Sequence, residues 1–132
     1  MIGTDYRCVS GHVPVAGPYC VNRQMSDKSQ EVERHPGWQG SLGGIKCENF
    51  LRNQQNGTYV IRHGEEANTY YLSWVEDTEQ CFFRHQPFSL IPDRDTPKWL
   101  YKNGYDKLSD TLEDLIPLMM HRPKENCFPI SK

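Results

Sequence analysis

An arginine follows a short apolar run in the segment GTYVIRHGEE, which spans residues 57–66. Arg62 comes directly after residues 59–61, at a position where a buried strand would carry an apolar side chain. Such an arginine either reaches out to water from the strand end or lies inside and binds an anion. Its planar fork of donors can contact two phosphate oxygens at once, which the ammonium group of a lysine cannot do. The elements around Arg62 must decide between these two interpretations.

The remaining reactive residues show no pattern of a known catalytic or metal site. The sequence contains no Ser-His-Asp spacing, Walker loop, HExxH motif or paired carboxylates. Cys47 and Cys81 fall on apolar faces, where a thiol is more often a core residue than a nucleophile. The five cysteines and five histidines match no common zinc-finger spacing. We therefore expect a protein that is not an enzyme and that binds no metal and no cofactor.

Composition and charge exclude several further classes. The chain of 132 residues, 36% hydrophobic and 24% charged, is sufficient for one domain with a modest core. A net charge of −2 argues against nucleic-acid binding. No apolar run is long enough to span a membrane, and we see no secretory signal. The odd number of cysteines favours reduced thiols, so we expect a cytoplasmic protein, or one in the host cytosol if it is a secreted effector.

The chain divides into three regions. Residues 1–37 carry Gly, Pro, Ser and Asn without sustained periodicity, which predicts an N-terminal extension of uncertain order. Within it, Val13 and Val15 could form a short extended segment. We expect residues 38–121 to form the folded domain and residues 122–132 to form a C-terminal tail.

The folded region predicts a helix, three central strands, a small fourth strand and a second helix. The segment IKCENFLRNQ predicts a helix of about three turns, with Cys47, Phe50, Leu51 and Gln54 on one face. The predicted strands are TYVIR, YYLSWVE, CFFRHQPFSLI and KWLYKNG, with Pro87 at an edge or ladder-free position. This order predicts an α+β fold in which a central antiparallel β-sheet lies between two α-helices.

The last helix has the clearest pattern. In SDTLEDLIPLMMH, apolar residues recur at helical spacing and predict a buried face; they are Leu112, Leu115, Ile116, Met119 and Met120. Asp110, with Glu113 three residues later, predicts the N-cap. We expect a bend at Pro117, because proline removes one amide of the helix.

Five fragments resemble the SH2 domain in order and spacing. After Trp38 they are CENFL, GTYVIR, YYLSWV, FFRH and TLEDLI, and the resemblance covers roughly residues 38–121. It implies a monomeric, phosphotyrosine-dependent module that binds tyrosine-phosphorylated proteins or peptides in tyrosine-kinase signalling. The alternative is an SH2-like scaffold that binds partners without phosphotyrosine. The divergent motif is similar to the stand-alone SH2 proteins that some intracellular bacteria deliver into host cells.

The resemblance also implies a phosphotyrosine pocket. Arg62 matches the arginine at its floor, and His85 matches the histidine beside the phosphotyrosine ring, although a packed or surface histidine remains an equal alternative. The loop that includes Gly64, Glu65 and Thr69 could wrap the phosphate with backbone amides and a hydroxyl, although for Glu65 and Thr69 a structural role is the better alternative. A second arginine of the family is replaced here by Gly44. Lys46 lies nearby but could face away, and a basic residue from elsewhere (His63, Arg52 or the extension) could compensate.

Residues after the phosphotyrosine are gripped in the family by the third strand and the loops beside the second helix. The matching candidates for peptide binding are Gln86, Arg84, Trp99 and Tyr101. Trp99 and Tyr101 could equally pack against the second helix. We expect modest sequence selectivity, with most of the affinity supplied by the phosphate.

Overall fold

The computed structural model describes residues 18–94 and 96–130, and for residues 18–23 it describes the backbone alone. In chain order the elements are α1 (Pro18–Glu33), α2 (Gly44–Leu51), β1 (Thr58–His63), β2 (Thr69–Asp77), β3 (Phe82–Asp93), β4 (Thr96–Asn103), β5 (Tyr105–Ser109), α3 (Leu112–Met120) and β6 (Phe128–Pro129). Within the described part, no helix is long and apolar enough to cross a membrane.

The six strands form one sheet in the order β5-β4-β3-β2-β1-β6. Neighbouring strands are antiparallel, except that β6 runs parallel to β1. β3 pairs with β4 only over residues 89–93. In the described chain, residues 82–88 therefore have a strand partner on one side only, and Pro87 lies in this stretch, as predicted.

Two separate segments cover the outer edge of β1. Residues 37–40 hydrogen-bond to the end of the strand, where the Ile61 amide donates to the Gly37 carbonyl at 2.8 Å. Residues 128–130 bond to its beginning, where the Ile130 amide donates to the Tyr59 carbonyl at 3.0 Å. The strand that carries Arg62 is thus bonded on both sides.

The side of the sheet that faces α1 and α3 contains the larger core. Trp74 and Trp99 lie in it and are at most 3% exposed. The apolar face predicted for the last helix is confirmed, because all five of its apolar residues are buried against the sheet.

Helix α1 was not predicted, because its sequence has no sustained apolar period. Its buried contacts are few and specific: Val32 is fully buried, and the Glu31 carboxylate accepts from the Trp99 indole at 3.3 Å and from the Leu112 amide at 3.1 Å. These contacts attach α1 to β4 and to the first turn of α3. The segment predicted around Val13 and Val15 lies outside the described residues.

A buried histidine follows α1. His35 is 8% exposed, and its Nδ1 accepts from the Gly37 amide at 3.1 Å. Its Nε2 lies 3.8 Å from the Glu113 carboxylate. Burial lowers the pKa of His35, against smaller opposing effects of Glu113 and Glu31.

Three details predicted for the helices are wrong. α2 has two turns rather than three, because the backbone becomes extended at Arg52. Phe50 does not share the buried face and is 45% exposed. The N-cap of α3 is Thr111, whose hydroxyl accepts from the Asp114 amide at 3.2 Å, whereas Asp110 lies one residue too early and contacts Lys98 instead.

The side of the sheet that faces α2 contains a smaller core, made of Cys47, Leu51, Val60, Val75 and Ile130. Side chains alternate along a strand, so Arg62 on β1 and Ser73 on β2 point to this same side. Both are buried. The polar site lies here, beside the apolar contacts that fix α2 on the sheet.

Candidate functional site

Arg62 is buried beneath α2 and is held by neutral groups. It is 8% exposed. Its Nε donates to the Ser73 hydroxyl at 3.1 Å, its Nη1 to the Leu42 carbonyl at 3.2 Å, and its Nη2 contacts His85 Nδ1 at 3.2 Å. Three nitrogens are thereby oriented, while each Nη retains a second hydrogen for another acceptor. The interpretation in which Arg62 extends to water is excluded by this burial.

A chain of hydrogen bonds leads from Arg62 to a carboxylate. The Ser73 hydroxyl lies 2.7 Å from His85 Nδ1, and His85 Nε2 lies 2.7 Å from Glu48 Oε2. Glu48 is on α2, one turn after Gly44. The structure therefore brings the predicted residue His85 into contact with Arg62, together with two residues, Ser73 and Glu48, that sequence reasoning did not select.

An aromatic ring covers the guanidinium. The Tyr71 ring centre is 4.6 Å from Arg62 Cζ, a distance at which a cation and a π-system attract each other. Tyr71 lies opposite Arg62 in the pairing of β1 with β2. Strand alternation in the sequence already predicts that Tyr71 and Ser73 share one face of β2. The two residues could have been chosen as site residues from the sequence if the pairing of β1 with β2 had been known.

The loop at residues 64–68 has close internal packing. The Thr69 hydroxyl accepts from the Glu66 amide at 3.1 Å and donates to the Glu66 carbonyl at 2.6 Å. A Cβ at Gly64 would lie only 2.8 Å from the Thr69 carbonyl oxygen, so no larger residue fits there without a shift. Glu65 and Glu66 are exposed. Together with Tyr71, the loop lines a small cleft of about 210 Å³.

Among the described residues, no arginine or lysine contacts Arg62 in place of the second arginine that the resemblance implied. A Cβ added to Gly44 would meet only Arg62 Nη2, at 4.0 Å. Lys46 is exposed on the same helix and makes no hydrogen bond or ion pair within the described chain. His63 packs edge-on to Trp38, with ring centres 4.7 Å apart, on the opposite side of β1. The structure thus does not bring His63 or Lys46 together with Arg62.

A second cleft of about 590 Å³ lies on the other side of β3. Arg84, Gln86 and Tyr101, predicted to contact a peptide, line it together with His121 and Arg122 from the end of α3. The Arg84 guanidinium lies 3.4 Å from the Glu76 carboxylate. The fourth predicted residue, Trp99, has no exposed surface and does not line this cleft; it belongs to the core, the alternative that the sequence left open.

The fold is SH2-like: a central sheet lies between helices, and a buried arginine on β1 faces the helix that precedes it. A solved structure supports this assignment, the solution structure of the SH2 domain of a CRK/CRKL homologue from Monosiga brevicollis. The two are 22% identical, with a TM-score of 0.51 over 74% of this chain and 85% of that one. No protein-family model and no curated protein matches the chain. The likeness confirms the predicted fold.

Proposed function

We propose that this domain binds phosphotyrosine in peptides, with Arg62 as the anion-binding residue. One observation carries the proposal: Arg62 is a buried cation without a carboxylate in direct contact among the described residues. A buried charge that lacks a partner costs several kcal/mol. A phosphate supplies the missing anion and accepts from both Nη groups at once.

Phosphotyrosine fits the depth of this site. Arg62 lies under α2 and beneath the Tyr71 ring rather than at the surface. A phosphate carried on a tyrosine ring reaches such a position, whereas one on a serine is too short. The small cleft between the Tyr71 ring and the loop at residues 64–68 is not lined by Arg62 itself, and in this proposal it is the entrance for the tyrosine ring.

The residues after the phosphotyrosine are proposed to cross β3 toward the second cleft. Residues 82–88 offer a backbone edge with no strand partner in the described chain, and Arg84, Gln86 and Tyr101 line the cleft beyond it. Charged and polar side chains such as Glu76, Arg84 and Arg122 line much of the cleft, which favours modest sequence selectivity. Lys46 and Glu65, both exposed, are placed at the margin of the phosphate site in this proposal.

The test is a titration with one peptide mixture in three forms. A tyrosine flanked by randomised positions is prepared as phosphotyrosine, as unmodified tyrosine and with phosphoserine in its place. Binding of the first form alone, lost in Arg62→Ala and retained in the matched surface variant Arg34→Ala, is the expected result. Equal binding of all three forms, or no difference between the two variants, would overturn the proposal and favour a scaffold that works without phosphotyrosine.

A further inference from the structure

The site contains an acidic residue where a phosphate pocket would be expected to be purely basic. Glu48 lies on α2 and reaches His85 Nε2 at 2.7 Å, and His85 in turn contacts Arg62. Arg62 and Glu48 carry opposite single charges, so together they leave the site without a net positive charge although the two side chains make no direct contact. A phosphotyrosine carries a charge of about −1.5 to −2 at pH 7. The unliganded site therefore does not neutralise the charge of its proposed ligand.

The hydrogen bonds around His85 match one arrangement of its ring hydrogens in the unliganded domain. The Arg62 guanidinium can only donate, and it approaches Nδ1 at 3.2 Å. The Ser73 oxygen already accepts from Arg62 Nε at 3.1 Å, so its own hydrogen is available for Nδ1 at 2.7 Å. Nδ1 therefore accepts, and Nε2 carries the hydrogen that is donated to Glu48.

A bound phosphate changes this arrangement. We expect the phosphate to accept from the second hydrogen of Arg62 Nη2 and to draw that group away from His85 Nδ1, which then loses one of its two donors. The imidazole lies between two anions, the Glu48 carboxylate on one side and the phosphate on the other. Both favour the charged form of a histidine.

We propose that Glu48 and His85 couple phosphotyrosine binding to the uptake of one proton: His85 accepts it from solvent at Nδ1 when the phosphate binds, and Glu48 stabilises the resulting imidazolium. This inference rests on the proposed function. Glu48 thus acts through His85, and it makes the affinity for a dianion depend on pH.

The other groups around His85 do not supply this proton. Cys47 on α2 is fully buried, and burial raises the pKa of its thiol, so it stays neutral. From β1 and β2 the neighbours are Arg62, Tyr71 and Ser73, of which Arg62 is always charged. In the described chain, Glu48 is the one carboxylate in contact with His85.

The experiment is calorimetry with N-acetyl-phosphotyrosine amide at pH 7.5, in two buffers of different ionisation enthalpy. Uptake of close to one proton is expected, after correction for the ligand's own titration. The association constant should then rise by up to about tenfold for each unit of falling pH between 8.5 and 7. Long-range proton–nitrogen NMR follows the two ring nitrogens of His85, whose signals are assigned by their absence in His85→Asn.

Glu48→Gln is the decisive variant, because glutamine keeps an acceptor for Nε2 and removes the charge. It should bind the ligand more tightly than wild type at pH 8.5 and show a smaller proton uptake. The exposed control Glu79→Gln should change neither quantity. Binding without proton uptake, with His85 neutral in the complex, would overturn this inference alone. Absence of any binding between pH 6.5 and 8.5 would overturn the proposed function as well.

Discussion

Replacing Gly44 by arginine is expected to strengthen phosphotyrosine binding. Gly44 is the first residue of α2, and a Cβ there meets nothing closer than Arg62 Nη2 at 4.0 Å. The new side chain therefore has room to extend over the phosphate site. It would add a second guanidinium beside Arg62, near the position that the phosphate occupies in the proposal.

The size of the gain follows from two opposing effects. One added charge about 4 Å from a phosphate charge contributes roughly 1 kcal/mol in water and about 4 kcal/mol at an effective dielectric constant of 20. Glu48, one turn later on the same helix, would attract the new guanidinium and reduce this gain, and the long side chain loses rotamer freedom. We expect a net gain of about 1–2 kcal/mol, or roughly 5- to 30-fold in affinity.

Binding is measured by calorimetric titration with the phosphotyrosine peptide mixture at two salt concentrations. Gly44→Ala and Gly44→Gln are the matched controls, since leaving glycine raises helix propensity by up to about 1 kcal/mol without any added charge. The gain should shrink at high salt, where exposed charges are screened. If Gly44→Arg binds no more tightly than Gly44→Gln, the phosphate does not lie beside Arg62 and the site is misassigned.

Three further results are expected. Glu31→Ala should lower the free energy of unfolding by about 1–3 kcal/mol in urea, because two buried donors lose their acceptor, whereas the exposed Glu33→Ala should not. Burial lowers the pKa of His35. The stabilisation that the neutral side chain provides is therefore present above the pKa of about 6.5 in the unfolded chain and is lost as the pH falls below it. His35→Gln should flatten the decline of the urea midpoint between pH 7.5 and 5.5, and an unchanged slope would contradict this. Gly64→Ala should weaken phosphotyrosine binding at least about tenfold and destabilise the loop, whereas Gly43→Ala, with nothing within 4 Å of its added Cβ, should bind like wild type.

Arg62 could be selected from the sequence because the feature that marks it involves only neighbouring residues. A charged residue ends an apolar run, and the fragments around it keep the order of one fold. The residues that complete the site have no such signal. Tyr71 and Ser73 share a predicted face of β2, but their meeting with Arg62 depends on the strand register, which places Arg62 opposite Tyr71. His63 is adjacent to Arg62 in the sequence, and yet its side chain lies on the other side of β1, away from the site.

Glu48 was missed for a related reason. The predicted helix face included Phe50, whereas the structure buries Cys47 and Leu51 and leaves Phe50 exposed. The rotation of a two-turn helix is decided by the sheet it packs on, and a short apolar pattern does not specify it. Helix α1 lacks a pattern altogether, because its attachment depends on one buried valine, Val32, and one carboxylate, Glu31.

The strand that carries Arg62 has its outer edge divided between residues 37–40 and residues 128–130. These two segments lie far apart in sequence, and both must leave before β1 can separate from its neighbours. Local opening normally occurs in elements with few such bonds. We therefore expect the site to open only together with the central sheet, so that moderate heating leaves Arg62 in place until the domain unfolds. If the domain binds phosphotyrosine as proposed, exchange of the ligand would depend on the loop at residues 64–68 and on side-chain rotation, with the strand acting as a fixed support.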